Sequence, residues 1–237
     1  MAQTMSKPPI LVFDLDGTLA DTAGDLIATL NVVLAGEGLS PVPLANARKL
    51  IGAGAKMLIR RGFAADGRDL PADTLDRLYA AFIERYERHI ADESRLFPGV
   101  EAALDRFAAA GYALAVCTNK LERSSLLLLE ALGVKDRFRA ICGQDTFKIP
   151  KPDRRIFDLT IARAGGDPRQ SIMIGDSATD IETARAAQAP VIAVDFGYTD
   201  LPIESFGPDR VISHFDELWS AVAALRGAGR DGDAAAP

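Results

Sequence analysis

The chain has 237 residues, 48% of them hydrophobic and 25% charged, and carries a formal net charge of -6. That is enough chain for a full core and for one large or two modest domains. The acidic balance works against non-specific binding to nucleic acid or to an anionic membrane, and leaves an anionic substrate to local positive charge.

The N-terminal residues 1–9 are short and polar, without the apolar run of a secretory signal. No stretch reaches the roughly 18 apolar residues of a membrane span, so the cytoplasm is the expected compartment. The first strong element is Ile10-Leu11-Val12-Phe13, an apolar run that predicts a strand buried on both faces. It runs directly into Asp14-Leu15-Asp16-Gly17-Thr18-Leu19. Two carboxylates one residue apart at a strand end put negative charge where a parallel sheet opens to solvent, the edge at which open α/β sheets bind ligands.

From residue 20 to 93 the pattern is helical, with no convincing strand. Leu26, Ile27, Leu30, Val33 and Leu34 recur at helical spacing until Gly36 and Gly38. A second helical stretch is expected over 44–62. A third, over 74–90, carries Leu75, Leu78, Tyr79, Phe82 and Tyr86 as one stripe, with Asp73 or Thr74 as its N-cap. Beyond Phe97-Pro98-Gly99 helices and strands alternate. Helices are expected at 100–110, 122–132, 154–164, 180–187 and 215–225, the last capped by Ser213. Strands are expected at 112–117, 140–142, 171–174, 191–194 and 211–212. This alternation predicts βαβ units and a parallel sheet, so the fold class is α/β, a Rossmann-like core with an inserted α-helical domain after its first strand. The Gly/Ala/Asp-rich segment 227–237 is expected to be a disordered tail. Cys117 and Cys142 are too few for a disulfide framework, have no histidine nearby in sequence, and read as small hydrophobes in a reducing compartment. His89 and His214 read as structural.

Four strand ends share one chemistry: Asp14-Leu15-Asp16, Thr118-Asn119-Lys120, Lys151-Pro152, and Asp176-Ser177-Ala178-Thr179-Asp180. Taken singly, each has an ordinary explanation. An Asp at a strand end is usually a turn or cap residue, Asp180 could cap the following helix, and Lys151 alone could be a solvated surface lysine. Taken together, a parallel sheet opens all four loops on one edge. Several carboxylates packed there repel strongly unless a cation sits among them. A hard divalent ion, Mg2+, with a lysine completing the balance, meets that requirement.

On these residues the chain resembles the haloacid dehalogenase superfamily of phosphohydrolases nearly end to end. Asp14-Leu15-Asp16-Gly17-Thr18 matches its first motif, Thr118 its second, Lys151 in Lys151-Pro152-Asp153 its third, and Asp176 with Asp180 its fourth. Lys148 is the fallback for the third motif. The helical insert matches the family's cap. Within the superfamily the chain is most similar to the phosphoglycolate phosphatases, through Ile51-Gly52-Ala53-Gly54, Val116-Cys117-Thr118-Asn119-Lys120 and Phe196-Gly197-Tyr198. The resemblance implies a catalytic core over 1–19 and 94–226 and a cap over 20–93. It implies Asp14 as nucleophile and Asp16 as general acid and base. Mg2+ would be held by Asp14, Asp176 and the backbone carbonyl of Asp16. Thr118, Asn119 (by its backbone) and Lys151 would hold the phosphoryl oxygens, and Asp180 would orient Lys151 or a metal-bound water. The implied partner is a small phosphorylated metabolite, 2-phosphoglycolate first among them, with no nucleic acid and no membrane.

Asp16 favours ester hydrolysis over dehalogenation, because only an alkoxide leaving group needs its proton. A β-phosphoglucomutase, a pyrophosphatase or a nucleotidase keeps the same first motif, and a phosphonoacetaldehyde hydrolase usually lacks the second acid. A non-catalytic phospholigand-binding module is the reading from another class, and the intact motifs oppose it. In the cap, Lys49, Lys56, Arg60 and Arg61 bring local positive charge. With Gly52 and Gly54, which allow close backbone approach, Lys49, Lys56 and Arg60 are the candidates for meeting a small carboxylate. The alternative for the same residues is a solvated basic helix face.

Overall fold

The computed structural model describes residues 6–47, 50–199 and 201–231. Its centre is a parallel sheet of six strands: β1 (Ile10–Phe13), β4 (Ala113–Cys117), β5 (Ala140–Cys142), β6 (Ser171–Gly175), β7 (Val191–Val194) and β8 (Arg210–Ile212). Their spatial order is β5-β4-β1-β6-β7-β8. β1 pairs with β4 from Ile10↔Ala113 to Phe13↔Val116, and with β6 from Ile10↔Ser171 to Phe13↔Ile174. The strand order therefore reverses around β1, and the carboxyl ends of β1, β4 and β6 lie side by side, the position at which doubly wound sheets form their crevice.

The uninterrupted apolar run of β1 follows from burial on both faces. Leu11 and Phe13 enter a cluster beneath α5 (Val100–Ala109), α6 (Glu122–Ala131) and α9 (Leu218–Asp231). Ile10 and Val12 face the opposite cluster, beneath α7 (Arg154–Ala164) and α8 (Ala178–Ala187). All four β1 side chains are fully buried. At about 1.5–3 kcal/mol for each large apolar side chain taken from water, the strand is one of the best-anchored segments of the chain.

The remaining helices are α1 (Ala23–Gly36), α2 (Leu44–Ala47), α3 (Ala55–Ala65) and α4 (Ala72–Arg88). They form their own core, with Leu30 and Leu34 of α1, Ile59 and Phe63 of α3, and Leu78, Phe82 and Tyr86 of α4 packed together. Tyr198, from the segment after β7, joins that cluster.

The structure departs from the sequence pattern in several places. The stretch expected as one helix over 44–62 is broken, because Gly52 and Gly54 take positive φ of 112° and 80° and turn the chain before α3. Residues 20–21, expected to be helical, form instead β2 (Ala20–Asp21), antiparallel to β3 (Arg95–Leu96), where the chain leaves and re-enters the sheet layer. α4 starts after Pro71, and neither Asp73 nor Thr74 serves as its N-cap. α8 starts at Ala178 with Ser177 as N-cap, so Asp180 lies in its first turn. Ser213 donates to Asp195 and caps nothing; the cap falls to His214, whose ring accepts the Asp216 N–H. α9 runs to Asp231, past Gly227, while residues 232–237 lie outside the described residues. Among the described residues no helix is long and apolar enough to cross a membrane.

Candidate active site

Asp14 follows β1 directly, and its N–H donates to the Ile174 carbonyl of β6 at 2.9 Å, so the sheet itself sets the position of the carboxylate. Lys151 Nζ lies 2.9 Å from Asp14 Oδ1 and 2.6 Å from Asp180 Oδ1, with only 2% of the lysine side chain exposed. The second Asp180 oxygen accepts from the Ser177 N–H at 3.2 Å and the Ser177 hydroxyl at 2.6 Å, so the start of α8 holds Asp180 in place. Asp176 accepts from the Thr18 hydroxyl at 3.1 Å and from the Tyr198 N–H at 2.7 Å. Gly17 and Gly197 make room for it. A Cβ on Gly17, which sits at φ +82°, would lie 2.3 Å from Asp176 Oδ2, and one on Gly197 would lie 2.2 Å from Asp176 Cβ. The Asp-Gly-Thr order of the first loop thus has a structural cause in the fourth.

Thr118 closes β4, its N–H donating to Cys142 of β5 at 3.0 Å. The Asn119 side chain pairs with the Lys151 backbone in both directions, accepting from its N–H at 2.8 Å and donating to its carbonyl at 3.3 Å. The second and third loops are therefore fastened together, and Lys151 is directed at the acids. Lys148, the fallback for that role, is exposed.

The electrostatics are those of crowded acids around one lysine. Burial pushes the Asp14 carboxyl up to about 6 against the pull of Lys151, with Asp180 and Asp16 adding to the rise. Burial, then Asp180 and Asp14, raise Asp176 well above the carboxylate range. Burial works against the charge on Lys151, but Asp14 and Asp180 outweigh it and hold the ammonium protonated. Cys117 sits next to these groups, yet burial pushes its thiol up to about 12, so it is no nucleophile.

Oxygens of Asp14, Asp176 and Asp180 all lie within 4.8 Å of one another, and each residue is buried. Asp14 Oδ1 has no aligned hydrogen bond despite the nearby ammonium. Three buried carboxylates against one lysine form a hard-donor set that fits a divalent cation. The carboxylate cluster adds Asp180 to Asp14 and Asp176. The Asp16 side chain turns away, accepting from the Thr22 hydroxyl at 2.7 Å and lying 2.9 Å from Lys120 Nζ.

A cleft between the sheet edge and the helical insertion is lined by Asp14, Asp16, Thr118 and Asn119 from one side and by Gly52, Gly54, Phe82 and Tyr86 from the other. Gly54 sits close enough to the Asn119 carbonyl that a Cβ there would lie 3.4 Å from it. Lys56 and Arg60 do not line this cleft, although Lys56 lines an adjoining pocket that shares Gly54, Tyr79, Leu121 and Gln144 with it. Lys56 reaches outward to Asp76 at 2.7 Å, and Arg60 is exposed. Lys49 lies outside the described residues.

Residues 11–194 match the family described as haloacid dehalogenase-like hydrolase. The chain belongs to that family. Among its relatives, the phosphoglycolate phosphatase of Mesorhizobium japonicum is 52% identical over 92% of this chain and 96% of its own length. That of Caulobacter vibrioides is 45% identical over 91% of each. A crystal structure of a predicted phosphoglycolate phosphatase from Haemophilus somnus superposes with a TM-score of 0.84 at 29% identity, over 92% of this chain and 99% of that one. The crystal structure of CbbY from Rhodobacter sphaeroides in complex with phosphate gives 0.76 at 27% identity, over 89% and 96%. The superfamily resemblance and the α/β Rossmann-like core expected from the motifs are borne out, and the chain is a hydrolase of this family.

Three contributors escaped the pattern. Lys120 stands beside Thr118 in sequence, but nothing there pairs it with Asp16. Tyr86 belongs to the apolar stripe of α4, yet its ring covers the Lys120 ammonium at 4.5 Å. Tyr198 was legible only as part of Phe196-Gly197-Tyr198, while its contacts run to residues more than 170 positions away.

Proposed function

We propose that this chain is a Mg2+-dependent phosphatase that hydrolyses a small phosphate monoester, 2-phosphoglycolate, through an aspartyl-phosphate on Asp14, and that it acts in the cytoplasm. Residues 1–19 and 94–226 form its catalytic core and 20–93 its cap. The observation that carries the reaction is that Asp14 and Asp16 line one cleft together with Thr118 and Asn119. The substrate follows from the names of relatives that match the chain nearly end to end.

In the first step an Asp14 oxygen attacks phosphorus and the bond from phosphorus to the bridging oxygen breaks. Asp16 gives that oxygen its proton, so glycolate leaves neutral at the hydroxyl. In the second step water attacks the acyl phosphate, Asp16 takes its proton, and phosphate leaves with the Asp14 carboxylate restored. Asp16 needs to serve both steps without repelling the phosphoryl group, which suits a side chain held at the cleft wall by Thr22 and Lys120. Lys151 lowers the repulsion between Asp14 and an incoming dianion, and Thr118 with the Asn119 backbone receives the phosphoryl oxygens. Asp14, Asp176 and the Asp16 carbonyl would hold Mg2+, which when bound would supply further neutralisation of that charge. Asp180 keeps Lys151 in place.

Phosphate release from a panel of phosphorylated metabolites, with and without Mg2+, tests this reading. The highest kcat/KM is expected for 2-phosphoglycolate. A sugar phosphate at the top of the panel would remove the substrate assignment. No release from any ester, p-nitrophenyl phosphate included, by folded protein would remove the enzymatic one.

A further inference from the structure

Lys120 is a buried ammonium, with 6% of its side chain exposed, that the reaction above uses only as a support for Asp16. Its surroundings give it a second task. Of the charged side chains lining the cleft, Asp14 and Asp16 are negative, and among the described residues Lys120 is the one that is positive. The cap wall of this cleft is uncharged, being built from Leu26, Ile51, Leu58, Phe82, Ile83 and the tyrosines, and Lys56 in the adjoining pocket is paired with Asp76. Lys151, the other buried lysine of the site, is already shared between Asp14 and Asp180. An ammonium has three donors. One of those of Lys120 meets Asp16 at 2.9 Å and the Tyr86 ring covers another side, so the two contacts do not use all three donors of a side chain that lines the cleft.

The covalent structure of a phosphorylated 2-hydroxy acid adds a distance requirement. One methylene separates its carboxylate from the bridging oxygen, so whatever binds the carboxylate must sit beside the group that protonates that oxygen. Lys120 touches Asp16, and no other cation among the described residues does.

We infer that Lys120 is the specificity-determining residue that binds the non-reacting carboxylate of the substrate, with Tyr86 of α4 closing over it. This rests on the proposed assignment of Asp16 as proton donor and of a phosphorylated hydroxy acid as substrate. It moves carboxylate recognition from the basic residues of the cap, where the sequence suggested it, to the core loop that also positions Thr118. Selectivity and proton transfer then meet at one pair of neighbouring side chains, Lys120 and Asp16.

The test compares 2-phosphoglycolate with 2-hydroxyethyl phosphate, which replaces the carboxylate by a neutral group on the same two-carbon frame. Lys120→Met perturbs Asp16 for both esters, so the ratio of their kcat/KM values isolates the carboxylate contact. Wild type is expected to prefer 2-phosphoglycolate, and Lys120→Met to lose that preference by about 100-fold. Lys120→Gln, which keeps length and a donor, is expected to fall in the same direction and serves if the Met variant does not fold. A binding readout stands apart from turnover. In an Asp14→Asn background, adding Lys120→Met is expected to weaken 2-phosphoglycolate binding in calorimetry by about tenfold or more and to leave inorganic phosphate binding within about threefold. If wild type prefers 2-phosphoglycolate and the Lys120 variants keep that preference, the inference is overturned and the substrate reading stands. If wild type itself shows no preference, the substrate reading falls and the inference with it.

Discussion

Tyr198 joins Asp176 to the start of the helical insertion: its N–H donates to Asp176 Oδ2 at 2.7 Å, and its hydroxyl, 2.6 Å from the Thr22 nitrogen and 3.0 Å from the Ala23 nitrogen, accepts from both. The same hydroxyl donates to Asp21 Oδ1 at 2.6 Å. These are the N–H groups that the start of α1 leaves unpaired, and Thr22 offers no side-chain cap for them. A phenol from the far end of the chain accepts from both, and Asp21 Oδ1 also accepts from the Ala23 N–H at 3.3 Å. Tyr198→Phe removes the hydroxyl and keeps the backbone contact. It is expected to lower stability by about 1–3 kcal/mol in urea unfolding, because buried donors lose their acceptor, while the Mg2+ requirement for turnover stays the same. A loss of stability below about 0.5 kcal/mol would show that water or another group replaces the phenol.

Asp14→Asn is expected to lower kcat by at least about four orders of magnitude, since it replaces the carboxylate proposed as nucleophile by a non-nucleophilic carboxamide. The same change removes one negative charge from a buried acidic cluster. The metal-free variant is therefore expected to unfold at or above the wild-type temperature. Scanning calorimetry in the presence of a chelator checks this, and a clearly less stable variant would mean that the ion pair with Lys151 outweighs the repulsion.

The raised carboxyls give a pH dependence with a definite sign. Asp14 is pushed from an ordinary 3.8 to about 6, and Asp176 moves the same way. A folded-state acid that holds its proton more tightly contributes stability below its unfolded pKa, and that contribution is lost as pH rises through the folded value. For Asp14 the loss amounts to about 3 kcal/mol between about pH 4 and pH 6 in metal-free protein. A divalent cation competes with those protons. The stabilisation that Mg2+ confers is therefore expected to be larger at about pH 8 than at about pH 5. Thermal midpoints with MgCl2 and with a chelator across that range measure it, and a Mg2+ effect independent of pH would contradict it.

Lys56→Ala and Arg60→Ala are expected to leave kcat/KM within about twofold, because neither side chain lines the cleft and the Lys56–Asp76 pair is solvent-exposed. A tenfold loss in either variant would bring the cap's basic face back into substrate binding.

What the residue pattern disclosed, and what it concealed, divides along range. The β1 run, the alternation after Gly99 and the four loop motifs are local signals, each readable within a few residues, and the sheet order then brings the loops together without further information. Side-chain partnerships across the fold have no such local sign. Asp16 and Lys120 are 104 positions apart in numbering, and whether an aspartate at a strand end meets a metal, a threonine or a lysine depends on rotamer and packing. The same holds for Lys56 and Arg60, since charge on an amphipathic helix shows which residues are polar but not which face meets the cleft. The Gly52 and Gly54 break was visible as composition, but an isolated glycine within an apolar periodicity is also compatible with a continuing helix. The β2–β3 ribbon, two residues on each strand, is too short to carry a period.

That ribbon has a consequence beyond the present chain. Ala20 faces Leu96 and Asp21 faces Arg95, so the insertion leaves and returns at nearly the same point, and Asp25 clasps the N–H groups of Glu93 and Ser94 across the join. Helices hung on such a narrow stalk can be altered without disturbing β1, whose pairing with β4 and β6 holds the acids in register.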